Sequence, residues 1–179
     1  MYYSTTHSSP VGAITLASEG DNLVGLWLEG QKYFGDTMSK AVDEKDDVPI
    51  FYEVKKWLDR YFDGQKPAIS ELSLAPIGGE FRRNVWDILC HIPYGQTLTY
   101  GDIAKKMAVK MGKKSMSAQA VGGAVGHNPI SIIIPCHRVV GSNGSLTGFA
   151  GGIDKKIKLL ESEGVDMSGL FVPKKGTAL

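Results

Sequence analysis

The apolar residues of this chain change period along its length, and that change bounds the fold more tightly than any single motif. Over the first forty residues they alternate loosely in short segments. Pro10–Ala17, the turn cluster Glu19-Gly-Asp-Asn22 and Leu23–Leu28 read as a hairpin, with Gly12 and Gly25 as weak points in its strands. Ile50, Phe51, Val54, Trp57, Leu58, Tyr61 and Phe62 then fall three or four apart, one apolar stripe on a helix that Asp63-Gly64 ends. Residues 64–80 are rich in Gly and Pro and read as a linker with one further strand at Ile69–Leu74, which puts a boundary near residue 78. Beyond it helical spacing takes over. Phe81, Val85, Trp86, Ile88 and Leu89 form a stripe that stops at His91-Ile-Pro-Tyr-Gly95. Thr99 can cap a helix over Tyr100–Met107, and Ser117 one over Ala118–Val125 that Gly126 and Asn128-Pro129 stop; Lys155–Gly164 is the last. The expected architecture is α+β: a small β-rich N-terminal domain, 1–78, then a mostly helical domain, 79–179, whose second and third helices suit a helix-turn-helix.

Charge divides at the same place. Residues 1–80 carry 7 basic and 13 acidic side chains, net −6, and residues 81–179 carry 13 and 6, net +7. The basic excess is densest over 100–140, where Lys105, Lys106, Lys110, Lys113, Lys114 and Arg138 face the single acid Asp102. Such a cluster suits a polyanion, but taken by itself it reads first as a solvated face. No run approaches the roughly 18 apolar residues of a membrane span, and the N-terminus has neither a basic nor an apolar leader region. A cytoplasmic protein that meets no membrane is expected. Two cysteines are too few for a disulfide framework, and with four histidines scattered among them they make no zinc pattern, so neither metal nor cofactor is expected.

Two segments carry chemistry. Ile130-Ser-Ile-Ile-Ile is a β-branched run that must be buried, and it ends at Pro135-Cys-His-Arg-Val139. A thiol attacks as thiolate, and an imidazole can take its proton directly or through water. Neighbours on a strand point to opposite faces, so Cys136 and His137 can cooperate only across a turn, which Pro135 permits. From the residues alone Cys136 is a candidate nucleophile and also an ordinary core thiol; Cys90, at the end of a helix stripe, reads as core. The other segment is the helix Ala118-Gln-Ala-Val-Gly-Gly-Ala-Val125. Gly122 and Gly123 each cost it about 1 kcal/mol against Ala. Tight helix packing, close approach to a nucleic-acid backbone, or simply a poor helix would each account for them.

Taken together, Tyr100, Ala120-Val-Gly-Gly-Ala124, Asn128-Pro129, Ile134-Pro-Cys-His-Arg-Val139, Gly151-Gly152 and Glu163-Gly164 resemble the O6-alkylguanine-DNA alkyltransferases. The resemblance is dense from about residue 80 to 164; the first half matches only in being a short β-rich unit. It implies direct, irreversible, single-use transfer of an alkyl group from O6-alkylguanine in double-stranded DNA to Cys136 by a monomer. It further implies His137 as the base acting through a water, Glu163 as the carboxylate that steadies it, Asn128 as a hinge beside the active-site turn, and Tyr100 as proton donor to the departing guanine. Val139, Phe149 and Ala150 would line the guanine pocket, with Lys156 nearby. Gln119, Ala120, Gly122 and Gly123 would lie in the minor groove, and Lys105, Lys113 and Lys114 on phosphates. The chain departs from the family in two places: Gln119 stands where an arginine often fills the gap left by the flipped base, and Phe149 where a tyrosine is common. A lesion-binding module without transfer and a cysteine hydrolase built on Cys136 and His137 are the competing readings.

Overall fold

The computed structural model describes residues 1–174; the end of the expected second domain, 175–179, lies outside them. The N-terminal part is a four-stranded sheet and a helix. Strands β1 (Tyr2–Ser9), β2 (Gly12–Glu19) and β3 (Asn22–Leu28) form an antiparallel meander, and the short β4 (Val42–Glu44) adds parallel to β1, giving the order β3-β2-β1-β4. The expected hairpin is β2–β3; β1 is an additional strand, polar along most of its length. In β3 the register shifts opposite Ala17 and Ser18. That bulge reverses the alternation, so Leu23, Leu26 and Leu28 all reach the main core while Val24 and Trp27 pack on the other face. Gly25 is required there, because a Cβ would lie 2.0 Å from the Trp27 ring.

Helix α1 (Pro49–Phe62) begins with Pro at its first turn and buries Ile50, Phe51, Val54, Trp57, Leu58 and Tyr61 against the sheet. The strand expected at Ile69–Leu74 does not form. Residues 69–71 make one 3-10 turn, and only Leu74 bridges to Leu23. The helical part follows: α2 (Glu80–Leu89), the two-residue β5 (Leu98–Thr99), α3 (Tyr100–Lys110), α4 (Ala118–Gly126), β6 (Val139–Val140), parallel to β5, and α5 (Ile153–Ser162). Thr99 and Asp102 close a capping box on α3, and Ser117 caps α4. Trp86 of α2 donates its indole N–H to the Ala124 carbonyl of α4 at 2.8 Å, which locks these two helices together.

One core runs through both parts, joining Leu16, Leu26 and Leu58 to Trp86, Ile103, Val121 and Ile134. The open edge of β3 also reaches across. Leu26 N–H donates to Pro129 O (2.8 Å) and Ser131 N–H to Leu26 O (3.0 Å). The sheet thus holds the segment that leads into Cys136. Among the described residues no helix is long and apolar enough to cross a membrane, and no three His, Cys, Asp or Glu side chains group as a metal site.

Candidate active site

The β-branched run at 130–134 is not a strand. After its bridge to β3 it turns at Ile132, whose φ of +69° is a left-handed conformation that a β-branched residue adopts only when its surroundings impose it, at about 1–3 kcal/mol. Asn128 is the restraint. Its buried amide Nδ2 donates to Ile134 O (2.8 Å) and Ile130 O (3.3 Å), and its Oδ1 accepts from Ile130 N–H (3.0 Å). These bonds close the loop and deliver the chain to Pro135, after which Cys136–Arg138 form a 3-10 turn with all three residues buried. The turn places Cys136 and His137 on adjoining faces of one bend rather than on opposite faces of a strand.

Cys136 is 6% exposed. Burial pushes its thiol up, and the Asn128 amide, the Lys156 charge, its own backbone and the Ser131 hydroxyl pull it back toward the thiolate. His137 is wholly buried. Its Nε2 lies 2.5 Å from Glu163 Oε2, and its Nδ1 has no hydrogen-bond partner among the described residues. Burial, with the positive charges of Arg138 and Lys156, holds the imidazole below its ordinary value and outweighs the pull of Glu163. The ring is therefore neutral near pH 7, with its proton on Nε2 and its lone pair on Nδ1.

Glu163, at the C-terminal end of α5, is the hub. It accepts from His137, from Arg138 Nε (2.7 Å), from Tyr61 Oη (2.5 Å) and from Gly95 N–H (3.1 Å). Burial would raise its carboxyl, but the hydrogen bonds from His137 and Arg138 and the Arg138 charge hold it at about 2. Arg138 also donates to Ile92 O at 2.7 Å and lies over the Tyr94 ring. Lys156 is fully buried and donates to Val139 O (2.5 Å) and Thr147 O (2.9 Å); burial lowers it to about 8. Tyr100 Oη donates to the same Thr147 carbonyl at 2.9 Å, and burial raises its phenol, which stays protonated.

Tyr100 and Thr147 also belong to a cleft of about 770 Å³, lined by Tyr100 and Thr147–Ala150 and by Gln119, Gly122, Gly123 and Gly126 of α4 with His127 at its end. Lys32 and Tyr33, from the loop after β3, complete its lining. The glycines of α4 are not there for internal packing. A Cβ at Gly123 or Gly126 would meet nothing within 4 Å, and one at Gly122 only the Tyr100 ring at an ordinary 3.8 Å. The helix has instead a smooth outer face, open to whatever enters the cleft.

The structure thus brings Cys136, His137, Glu163, Asn128, Lys156 and Tyr100 together, and Gln119, Gly122, Gly123, Phe149 and Ala150 around the cleft. Val139 is a correction: its side chain sits in the core and only its carbonyl serves the site, through Lys156. Lys156 likewise supports the Thr147 loop from beneath and does not line the cleft. Ala120, Lys105, Lys113 and Lys114 are exposed outside it. Tyr61, Arg138, Ser131, Gln31 and Tyr33 belong to the site without any sequence signal of their own, except that Arg138 follows the Cys-His pair directly. Cys90 is half-buried, and burial lifts its thiol to about 11, as suits a core residue.

Two family models match the chain: 6-O-methylguanine DNA methyltransferase, ribonuclease-like domain, over residues 1–76, and 6-O-methylguanine DNA methyltransferase, DNA binding domain, over 80–165. A methylated-DNA–protein-cysteine methyltransferase of Methanosarcina barkeri is 43% identical, over 91% of this chain and 97% of its own, and one of Haemophilus influenzae is 38% identical, over 90% and 86%. A crystal structure of Mycobacterium tuberculosis OGT in complex with DNA superposes with a TM-score of 0.77 at 38% identity, covering 90% of this chain and 91% of that one. An O6-methylguanine-DNA methyltransferase from Pyrococcus kodakaraensis superposes at 0.66 with 25% identity, over 92% and 100%.

Proposed function

The chain belongs to the 6-O-methylguanine DNA methyltransferase family, and on that premise we propose that it repairs double-stranded DNA by moving an alkyl group from the O6 oxygen of guanine to Cys136 Sγ, irreversibly and once per molecule. One observation carries the reading. A buried cysteine, beside a neutral histidine that an ionised carboxylate holds, lies close to Tyr100, and Tyr100 lines a cleft whose other wall is a helix with a smooth glycine face.

A base paired within a duplex cannot reach a thiol set this deep, so the nucleotide is turned out of the stack into the cleft, at a few kcal/mol that is smaller for a damaged base. Phe149 and Ala150 wall the guanine. The face of α4 at Gly122, Gly123 and Gly126 lets the sugar-phosphate walls of the minor groove come close, and Gln119 occupies the gap. Lys105, Lys113 and Lys114 contact phosphates without reading sequence. His137 Nδ1 takes the thiol proton through a bridging water, and Glu163 and Arg138 keep the ring in the tautomer that can accept it. Cys136 Sγ then attacks the alkyl carbon in line with the carbon–oxygen bond. The sulfur–carbon bond forms, the carbon–oxygen bond breaks, and the electron pair departs on guanine. Tyr100 supplies a proton to that guanine and is reprotonated in turn, so the thiol proton ends on the base. The step balances with no further reactant, and the thioether has no route back to thiol. Every group comes from one chain, which supports action as a monomer. The division near residue 78 separates a supporting unit from the one that holds the thiol.

Intact-protein mass after incubation with a duplex carrying one O6-methylguanine tests this. A gain of one methylene, limited to one per protein and absent in Cys136→Ser, is expected. Binding with no gain would make the chain a recognition module instead.

A further inference from the structure

The loop between β3 and β4 holds a costly feature that core packing does not explain. Tyr33 has φ +60°, a left-handed conformation that bulky residues avoid, and its side chain is 48% exposed. Its ring stacks on His127, at the end of α4, with centroids 3.9 Å apart and planes 22° from parallel. His127 is itself fixed, through a hydrogen bond of 2.7 Å between its Nδ1 and Gly123 O. The loop is tied to both walls of the active site. Lys32 N–H donates to Ala150 O at 3.0 Å. The buried Gln31 accepts from Leu28 N–H (2.9 Å) and from the hydroxyl of Ser131 (3.0 Å), the serine beside the thiol. The result is a rigid aromatic pair at the rim of the cleft that Gln119, Gly122 and Gly123 line.

We propose that Tyr33, seated on His127, is a stacking contact for a nucleobase of the DNA strand that carries the target, next to the nucleotide drawn into the cleft. The inference rests on the function proposed above and extends it: the N-terminal part binds substrate directly. Three points identify the occupant. The platform is continuous with the cleft and the glycine face of α4. It offers a flat aromatic surface, which any base can use whatever its sequence. Its neighbour Gly123 leaves the approach open, since a Cβ there would meet nothing.

Tyr33→Gly is the cleanest probe, because glycine adopts a φ of +60° without strain and the fold has no reason to suffer. Affinity for a labelled duplex with one O6-methylguanine is measured on a Cys136→Ser background, where no transfer interferes. The ratio of transfer rates from the duplex and from the free O6-methylguanine base is measured with Cys136 intact. Loss of a base–aromatic stack weakens duplex binding by about 5- to 150-fold and lowers the rate ratio accordingly, while Tyr33→Phe keeps both near wild type. Unchanged duplex affinity in Tyr33→Gly overturns the proposal. So does an equal fall in both rates, which would make Tyr33 a mere prop for residues 148–151. If wild-type protein accepts no alkyl group from either substrate, the function proposed above fails, and the affinity measurement still decides the role of Tyr33.

Discussion

Tyr61→Phe removes one oxygen from the buried cluster around Glu163 and leaves the ring where it is, stacked on Trp57 at 5.7 Å and edge-on to Phe62 and Tyr94. No cavity larger than that oxygen forms, so the effect isolates the hydrogen bond. The bond is 2.5 Å long, fully buried and directed at an ionised carboxylate. Hydrogen bonds to charged groups contribute about 1.5–3 kcal/mol. Glu163 retains three other donors, which puts the loss near the lower end, about 1.5–2 kcal/mol. For a chain of this size that lowers the melting temperature by about 3–8 °C. The sign with pH follows from Glu163. Its carboxyl is held at about 2 against an ordinary 4.5, so it contributes stability that is fully present above about pH 4.5 and is lost as pH falls toward 2. Without the phenol the ionised form is less favoured and this loss begins at higher pH. Urea unfolding of both proteins at pH 7 measures the effect; an unchanged m-value certifies that the denatured state is the same. A penalty below about 0.5 kcal/mol at pH 7 would refute the assignment of Tyr61 as a donor to an ionised Glu163.

Four further outcomes are expected. Gln119→Arg adds a cation at the cleft rim, so lesion-free DNA binds more tightly and the slope of log affinity against log salt steepens by about 1; an unchanged slope in a salt titration would mean that residue 119 does not meet phosphate. Gly123→Ala raises helix propensity by about 1 kcal/mol with nothing for the new Cβ to strike, so thermal stability rises while affinity for duplex falls; equal gains in both would show that DNA does not approach this face. Gly148→Ala would put a Cβ 2.3 Å from Tyr100 Oη at a φ of +79°, displacing the phenol from Thr147, so single-turnover transfer slows by more than the fall in melting temperature explains. Asn128→Ala leaves the buried Ile130 N–H without its partner, at about 1–3 kcal/mol, and takes one of two donors from the Ile134 carbonyl, which keeps Cys136 N–H; urea unfolding reads that loss directly, and it comes with a less reactive Cys136.

What could be read along the chain is what depends on neighbours in sequence. The apolar stripe of α1, the caps Thr99 and Ser117 and the β2–β3 hairpin are all set by residues a few positions apart, and each lies in the structure within a few residues of its expected place. Cys136 and His137 with Pro135 before them already indicated a thiol whose use needs a turn. Other features were decided only by the tertiary structure. The run at 130–134 has every local mark of a strand, but the β3 edge and the Asn128 amide impose a turn with Ile132 in a left-handed conformation, and no local preference predicts that. Ile69–Leu74 likewise lost its strand because β3 offers it a single bridge. The hub at Glu163 joins side chains from positions 61, 137, 138 and 163 and the backbone N–H of Gly95, and Gln31 meets Ser131 across 100 residues. A hydrogen bond carries no mark of its distant partner in either residue's local sequence. Tyr61 looks like one more apolar position on a stripe, and Tyr33 like a residue in a loop, until packing brings α1 behind the histidine and the loop to the mouth of the cleft.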